Sequence, residues 1–372
     1  MTESRSLRKA LGTLAVILFL PMSMLAQDGV KGRPSVVLES KSAKLVVDIG
    51  GGSIVRFLLP EQGLNPIVWA EERAESDPLP MGHFLCLDRW GAPSEAEINN
   101  GMHFHGEAPY VKWHVDQKPR SVKGAVEAEM SASLPMAGLD VRRWIRVLDD
   151  GPVAIVREEV TNRNKIGRIY NWVQHPTIGP PFLDESVVVD ANARKGFMQD
   201  SPLPNPEAPS AHWPQALKDG APVNMRRLID DPLPQVVSYT IDEDIGWTTA
   251  ANAAKGLLLG YIWKTHEYPW FNAWRHVDEN NKPLARGLEF GTTGLHQPFA
   301  VLAAKGRIFG RPLFAHIDTG QQVTKSYVMF LLKIPADFAG ASGVEYAGDQ
   351  IKVAERGTER SFSVSARGAN WE

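Results

Sequence analysis

The chain has 372 residues, 43% of them hydrophobic and 22% charged, with a formal net charge of −3. This is ordinary globular composition, long enough for one large or two medium domains. The small, unclustered charge excludes a nucleic-acid surface and a polybasic membrane anchor, and favours a small-molecule or neutral polymer partner.

The first 26 residues differ from the rest. Arg5, Arg8 and Lys9 precede the apolar run LGTLAVILFLPMSMLA, and Ala26, Gln27 and Asp28 stand at its exit. A charged start, a short apolar centre and a small exit residue describe a secretory signal peptide. The run is short for a spanning helix and Pro21 interrupts it. The expectation is cleavage near Ala26, export to the periplasm or beyond, and no membrane anchor afterwards. With no cysteine near the cleavage point, a lipoprotein is not expected. Cys86 is the only cysteine, so no internal disulfide can form and the core must hold the exported chain together. Within the apolar FLCL it reads as a small buried hydrophobe, and a Cys/His zinc site is disfavoured.

From there the helical period is scarce. SVVLES, AKLVVDIGGGSIVRFLLP, AVEAEMSASLP, ESVVVDANA, PQVVSYTID, GLLLGYIW, PFAVLAAKGRIF, SYVMFLLKI and SFSVSA are short, rich in Val, Ile and aromatics, and often alternating. VLDDGPVAIVREE reads as two strands joined by a turn at Asp149–Gly151. DIGGGS (48–53) lacks a Walker lysine and precedes a strand, so it is a tight β-turn and not a phosphate cradle. YNWVQHPTIGPPFL places His175 between a strand-like run and a Pro/Gly-rich turn. Two stretches read as long loops, 76–118 and 198–222, with at most a helical turn at AHWPQALK. Many strands and few helices predict an all-β fold, a large antiparallel sandwich formed by a single domain over 27–372.

Residues able to do chemistry concentrate in four segments: 82–91, 101–115, 170–183 and 263–299. Eight of the ten histidines lie there, with several tryptophans. Aromatic faces beside Arg, Asp, Glu and His suit a sugar, whose C–H faces stack on rings while its hydroxyls meet charged groups in a cleft. The plainer alternative is structural, since sandwich tryptophans are mostly core and strand histidines are more often satisfied than catalytic. HFHGE places His103 and His105 on one face of a strand with Glu107 following, an alternation able to bind a metal.

In order and spacing, several of these motifs resemble the aldose 1-epimerases and the wider galactose mutarotase-like superfamily. VVDIGGGSIVRFLLPEQGLNPIVW resembles the opening hairpin of that superfamily, and FHG at His105 resembles its His-Gly-Gly loop. Asn171 and His175 resemble its Asn-x-x-x-His motif, Glu289 in GLEFGTT its late glutamate, and Arg89 in LDRWG the arginine before the His-Gly loop. The chain departs from the pattern in HGE, in HPTIGPPFL and in the spacing after Glu289, and the superfamily's sugar-binding aspartate has no clear counterpart. The resemblance implies a supersandwich fold, no cofactor and no resident metal. It also implies a sugar epimerase or mutarotase with Glu289 as base at the anomeric hydroxyl and His175 as acid at the ring oxygen. Arg89, His105, Asn171, Asp88, Trp270, Trp274 and Arg275 are the candidate sugar-binding residues. Two other readings stand beside it. One is a non-catalytic carbohydrate-binding protein that uses Trp90, Trp270 and Trp274 as stacking platforms for a sugar or oligosaccharide. The other is an enzyme with a His-x-His metal site. Nothing in the sequence fixes an oligomeric state.

Overall fold

A computed structural model describes residues 29–199, 203, 208–228 and 235–371. The expected signal segment lies outside these residues. Where side chains alternate apolar and polar, the chain forms strands that bury one face. It opens with β1 (Ser35–Glu39), β2 (Lys44–Asp48), β3 (Ile54–Leu58) and β4 (His83–Asp88). The glycine-rich 48–53 stretch is the β2–β3 turn, as its composition predicts.

A meander follows: β5 (His114–Val122), β6 (Ala125–Leu134), β7 (Leu139–Leu148) and β8 (Val153–Asn162), then β9 (Arg168–Ile178). The 149–151 turn joins β7 to β8 as expected. Next come β10 (Val188–Ala191), β11 (Ala193–Met198), β12 (Ala211–His212), β13 (Gln215–Lys218) and β14 (Ala221–Asn224). β15 (Val236–Ile241), β16 (Ile245–Asn252), β17 (Leu257–Lys264), β18 (Trp270–Val277) and β19 (Pro283–Gly291) are longer; β16 pairs with β17 in one sheet, and β18 pairs with both β15 and β19 in the other. The short β20 (Arg307–Ile308), β21 (Arg311–Pro312) and β22 (Ala315–Ile317) precede β23 (Gln322–Lys333), and β24 (Ala341–Tyr346), β25 (Gln350–Glu355) and β26 (Ser361–Ser365) end the fold.

Two large sheets result. The first runs β1-β2-β3-β4-β9-β19-β18-β15-β11-β12-β13-β14, with β22 added at β9; the second runs β10-β16-β17-β23-β8-β7-β6-β5. All recorded pairs between these strands are antiparallel. The main core lies between the sheets and is built from one side of each strand, including Leu85, Trp172, Tyr239, Phe271 and Phe290 from the first and Val156, Tyr261, Trp263 and Met329 from the second. β24–β26 form a separate sheet that closes the outer face of the second, where Ile351, Val353 and Val364 meet Ile155, Leu258 and Phe330.

Several local expectations need correction. The 76–118 stretch is not one loop: it contains β4, the helix α1 (Glu95–Asn99) and the start of β5. Ser94 caps α1 through a reciprocal Ser94–Glu97 box, which sequence periodicity over five residues could not reveal. AHWPQALK is not a helical turn but the β12–β13 hairpin, and PFAVLAAKGRIF is not a strand but the helix α2 (Phe299–Lys305) followed by the short β20. Finally, β9 runs through Pro176 to Ile178, so His175 sits within a central strand and the turn begins only at Gly179.

Candidate functional site

The outer face of the first sheet carries a cavity of about 650 Å³. Strand alternation decides what reaches it. On β9, Tyr170, Trp172 and Gln174 face the core, while Asn171, Val173 and His175 face outward. The β9–β19 register sets Arg286 opposite Ile178 and Phe290 opposite Gln174, which puts Glu289 opposite His175. The ladder pairs lie on either side of this point, where Pro176 has no N–H to give. Phe84 of β4 pairs with His175 on the other flank. Two residues 114 positions apart thus become direct cross-strand neighbours on one face.

The His175 Nε2 lies 3.3 Å from Glu289 Oε1. Its Nδ1 shares a 3.0 Å hydrogen bond with the Thr177 hydroxyl, and the Phe84 ring stacks on its imidazole at 4.1 Å. Trp90 Nε1 donates to Glu289 Oε2 at 2.6 Å. Both members of the pair are buried, at 4% and 1% exposure. Burial pushes the Glu289 carboxyl up to about 8, only partly opposed by the Trp90 hydrogen bond. Burial pushes His175 down to about 3. At neutral pH the pair is uncharged and holds one proton between its two members.

His105 completes the inner wall. It sits in a left-handed backbone conformation (φ 66°), and its Nδ1 accepts the Gly91 N–H at 3.1 Å, which leaves Nε2–H as the donor. Its ring lies 5.2 Å from that of His175 and 5.5 Å from that of His296. Burial lowers His105 well below the usual histidine range, reinforced by His175 and His296, and lowers His296 to about 4. Gly91 (φ 96°) is needed here: a Cβ would come within 2.7 Å of the His296 ring.

Of the expected site residues, His175, Glu289, His105, Trp274 and the expected stacking platform Trp90 converge on the cavity. The others do not line it. Asn171 faces the same side as His175 but is fully buried beside Thr292, whose hydroxyl lies 3.2 Å from its amide. Asp88 ends β4 at φ 85° and is held by Arg89 at 3.0 Å and by Arg168. Arg89 is spent on Asp88 and on Glu97, 2.9 Å away, with its guanidinium over Phe299. Trp270 shares the outward face of β18 with Trp274, but helix α2 (Phe299–Lys305) and residues 308–313 cover it. It packs on Leu302, Ile308 and Leu313 and donates to the Pro312 carbonyl at 2.7 Å. Arg275 has odd spacing from Trp274, points to the other face and is buried near Tyr239 and Arg286.

The His-x-His alternation is also corrected. Residues 102–107 form no strand, so the three side chains diverge. His103 stacks on Tyr110 at 4.2 Å, His105 enters the cavity, and Glu107 accepts the N–H groups of Met136 and Ala137. Among the described residues, no group of three or more His, Cys, Asp or Glu side chains is placed to hold a metal ion. Sequence reasoning did not single out His296, Trp69, Phe104 or Gln297, which all line the cavity. For His296 the available signal was its place seven residues after Glu289 in the histidine-rich 263–299 segment.

No family model matches the chain, and no curated protein matches it at the level of sequence. Solved structures do match in fold. The Slr1438 protein from Synechocystis sp. PCC 6803 aligns with a TM-score of 0.58 at 13% identity, over 84% of this chain and 99% of its own. A galactose mutarotase related enzyme from Lactobacillus acidophilus aligns with a TM-score of 0.56 at 12% identity, over 81% and 98%. A galactose mutarotase-like protein from Clostridium acetobutylicum gives 0.56 at 13%, over 83% and 98%. The fold is therefore a galactose mutarotase-like β-sandwich, as the motif order implied. At these identities the likeness is one of fold.

Proposed function

We propose that this protein is a sugar epimerase of the aldose 1-epimerase type, interconverting the anomers of a reducing sugar. The observation that carries the reading is the Glu289–His175 pair, opposed across β9 and β19 at 3.3 Å on the wall of an aromatic-lined cavity. Anomeric interconversion moves two protons at one carbon. The C1 hydroxyl loses its proton as the ring oxygen gains one, the C1–ring oxygen bond breaks and a C1 carbonyl forms. Rotation about C1–C2 and the reverse step close the other anomer. Both oxygens are bonded to C1, so base and acid must stand close together, as this pair does. Moving the single proton across the 3.3 Å contact to His175 makes it the acid at the ring oxygen and Glu289 the base at the anomeric hydroxyl. Trp90 fixes the far oxygen of Glu289, and His105 offers Nε2–H to a hydroxyl.

The N-terminal segment supports placing this activity outside the cytoplasm, with a sugar or sugar-chain end as ligand. The test is the equilibration of freshly dissolved α-aldoses, followed by polarimetry or NMR across hexoses and uronates. The expected result is acceleration by the native protein and none by Glu289→Gln, with sugar binding retained. A second reading, binding without catalysis, is favoured by one observation: Arg89 and Asn171 are both occupied away from the cavity, leaving fewer groups to orient a ring. Binding by the native protein with no acceleration on any sugar would select it.

A further inference from the structure

The cavity is larger than its reactive end requires. A hexopyranose has about a dozen heavy atoms and is well short of the drug-sized ligands that cavities of about 300–1,000 Å³ enclose. Glu289, His175, His105 and His296 form one end of the roughly 650 Å³ space. The remainder extends past Trp274 and is bounded by Trp69, Arg73 and Gln235.

The rings there are ordered along the sheet. Trp274 lies 5.9 Å from His175, and two residues on along β18, His276 stacks on Trp274 at 5.7 Å and 13°. Trp69 crosses from the β3–β4 connection and meets Trp274 edge-on at 5.1 Å and His276 at 6.1 Å. Arg73 stands 6.0 Å over Trp69. Between the two ends the side chains pack closely. Gly287 pairs with Trp274, and a Cβ there would come within 2.8 Å of Glu289 Oε1 and 3.0 Å of Trp274 Cβ. Thus the missing side chain at Gly287 lets Glu289 and Trp274 lie side by side, and the proton-transfer pair runs directly into a cluster of half-buried rings.

We propose that this ring cluster is a second sugar subsite, so that the substrate is a reducing disaccharide or the reducing end of a longer saccharide. The reducing ring lies against Glu289 and His175, and the next ring packs on Trp274 and Trp69. The assignment rests on the proposed function for the chemistry of the first subsite, while the second stands on the cavity and its rings. Rings bind sugar C–H faces without regard to hydroxyl pattern, so the second subsite selects chain length more than sugar identity.

The experiment compares kcat/KM for α-glucose with that for reducing disaccharides that end in glucose (α-lactose, cellobiose, maltose), in the native protein, Trp69→Ala and Trp274→Ala. At least one disaccharide is expected to be preferred over glucose, and each variant to cut that preference by about tenfold. Trp69 is partly exposed, so its variant keeps the fold. A preference for glucose over every disaccharide, or a ratio unmoved by both variants, overturns the subsite. If no sugar is turned over, the catalytic reading fails separately, and tryptophan-fluorescence titration with the same sugars decides the subsite. Tighter disaccharide binding that is weakened in Trp69→Ala upholds it, and equal binding of glucose and the disaccharides sinks it.

Discussion

Strand β9 carries a glutamate–histidine–tryptophan cluster on each of its two faces, and the two clusters behave differently. On the core face, Glu158 accepts from Arg143 Nε at 2.7 Å, Trp172 Nε1 at 3.0 Å and Gln174 Nε2 at 2.6 Å, and Gln174 reaches His83 at 3.2 Å. Both carboxylate oxygens are hydrogen-bonded, by three donors in all, and a buried arginine balances the charge. On the cavity face, Glu289 has one indole donor, a histidine and, among the described residues, no cation. Burial is equally deep on both sides, yet one carboxylate is locked into structure and the other is pushed up to about 8. Buried polar residues make architecture when their bonding is saturated and become reactive when it is left short.

The sharpest way to break this comparison is to neutralise each carboxylate in turn. Glu289→Gln should reduce anomer equilibration by at least about 10³-fold, near the upper range for losing an acid–base group, while leaving the fold intact. Its thermal stability should gain on the native protein as pH rises from about 4.5 to about 8. In that window a carboxyl whose folded-state pKa is raised makes the native protein less stable, and the amide does not titrate. Glu158→Gln should do the opposite, costing about 3–5 kcal/mol by leaving Arg143 buried without its partner. Calorimetry beside the equilibration assay reads both. A Glu158 variant as stable as the native protein would show that the core network is not what holds the sheets in register.

His175→Gln is expected to cost about 10²–10⁴ in rate. In the native protein the rate should be flat through neutrality. It should fall above about pH 8, where Glu289 loses the proton that the pair shares, and in strong acid, where His175 gains a second. A profile that rises through pH 6–7 with histidine titration would mean that His175 is far more solvated than its position against Phe84 implies.

The comparison also shows what was legible in the sequence. Alternation identifies the β class and turn residues the 149–151 turn, while motif order pairs His175 with Glu289 across 114 residues. Arg275, expected among the sugar-binding residues, is sent to the core by its odd spacing from Trp274. Alternation assigns a face but not what covers it. Trp270 and Trp274 share a face of β18, yet α2 and the 308–313 segment bury the first. Asn171 and His175 share a face of β9, yet Thr292 closes over Asn171. His296, Trp69 and Phe104 lie outside the strands, where no period constrains the backbone, and only the folded sheet brings them together.

Smaller effects sharpen the contrast further. Gly287→Ala would place a methyl group 2.8 Å from Glu289 Oε1, the movable end of that side chain. The carboxylate should swing rather than the sheet deform, so activity falls by about 10- to 100-fold with little loss of stability. Comparing Tm and kcat separates this from a general packing defect.

The mildest change is Trp90→Phe, which removes the indole donor on Glu289 and keeps an aromatic ring against His296. That hydrogen bond favours the ionised carboxylate and opposes the upward push of burial. Without it the Glu289 pKa should climb further, by about one unit for a hydrogen bond to a charged group. The alkaline limb of the rate profile should then move to higher pH while the rate at neutrality drops, because Glu289 is a poorer match for a base working near pH 7. If the limb stays in place, the indole only packs against the site. The contrast between the two faces of β9 would then rest on burial alone, with the single donor contributing nothing to how Glu289 holds its proton.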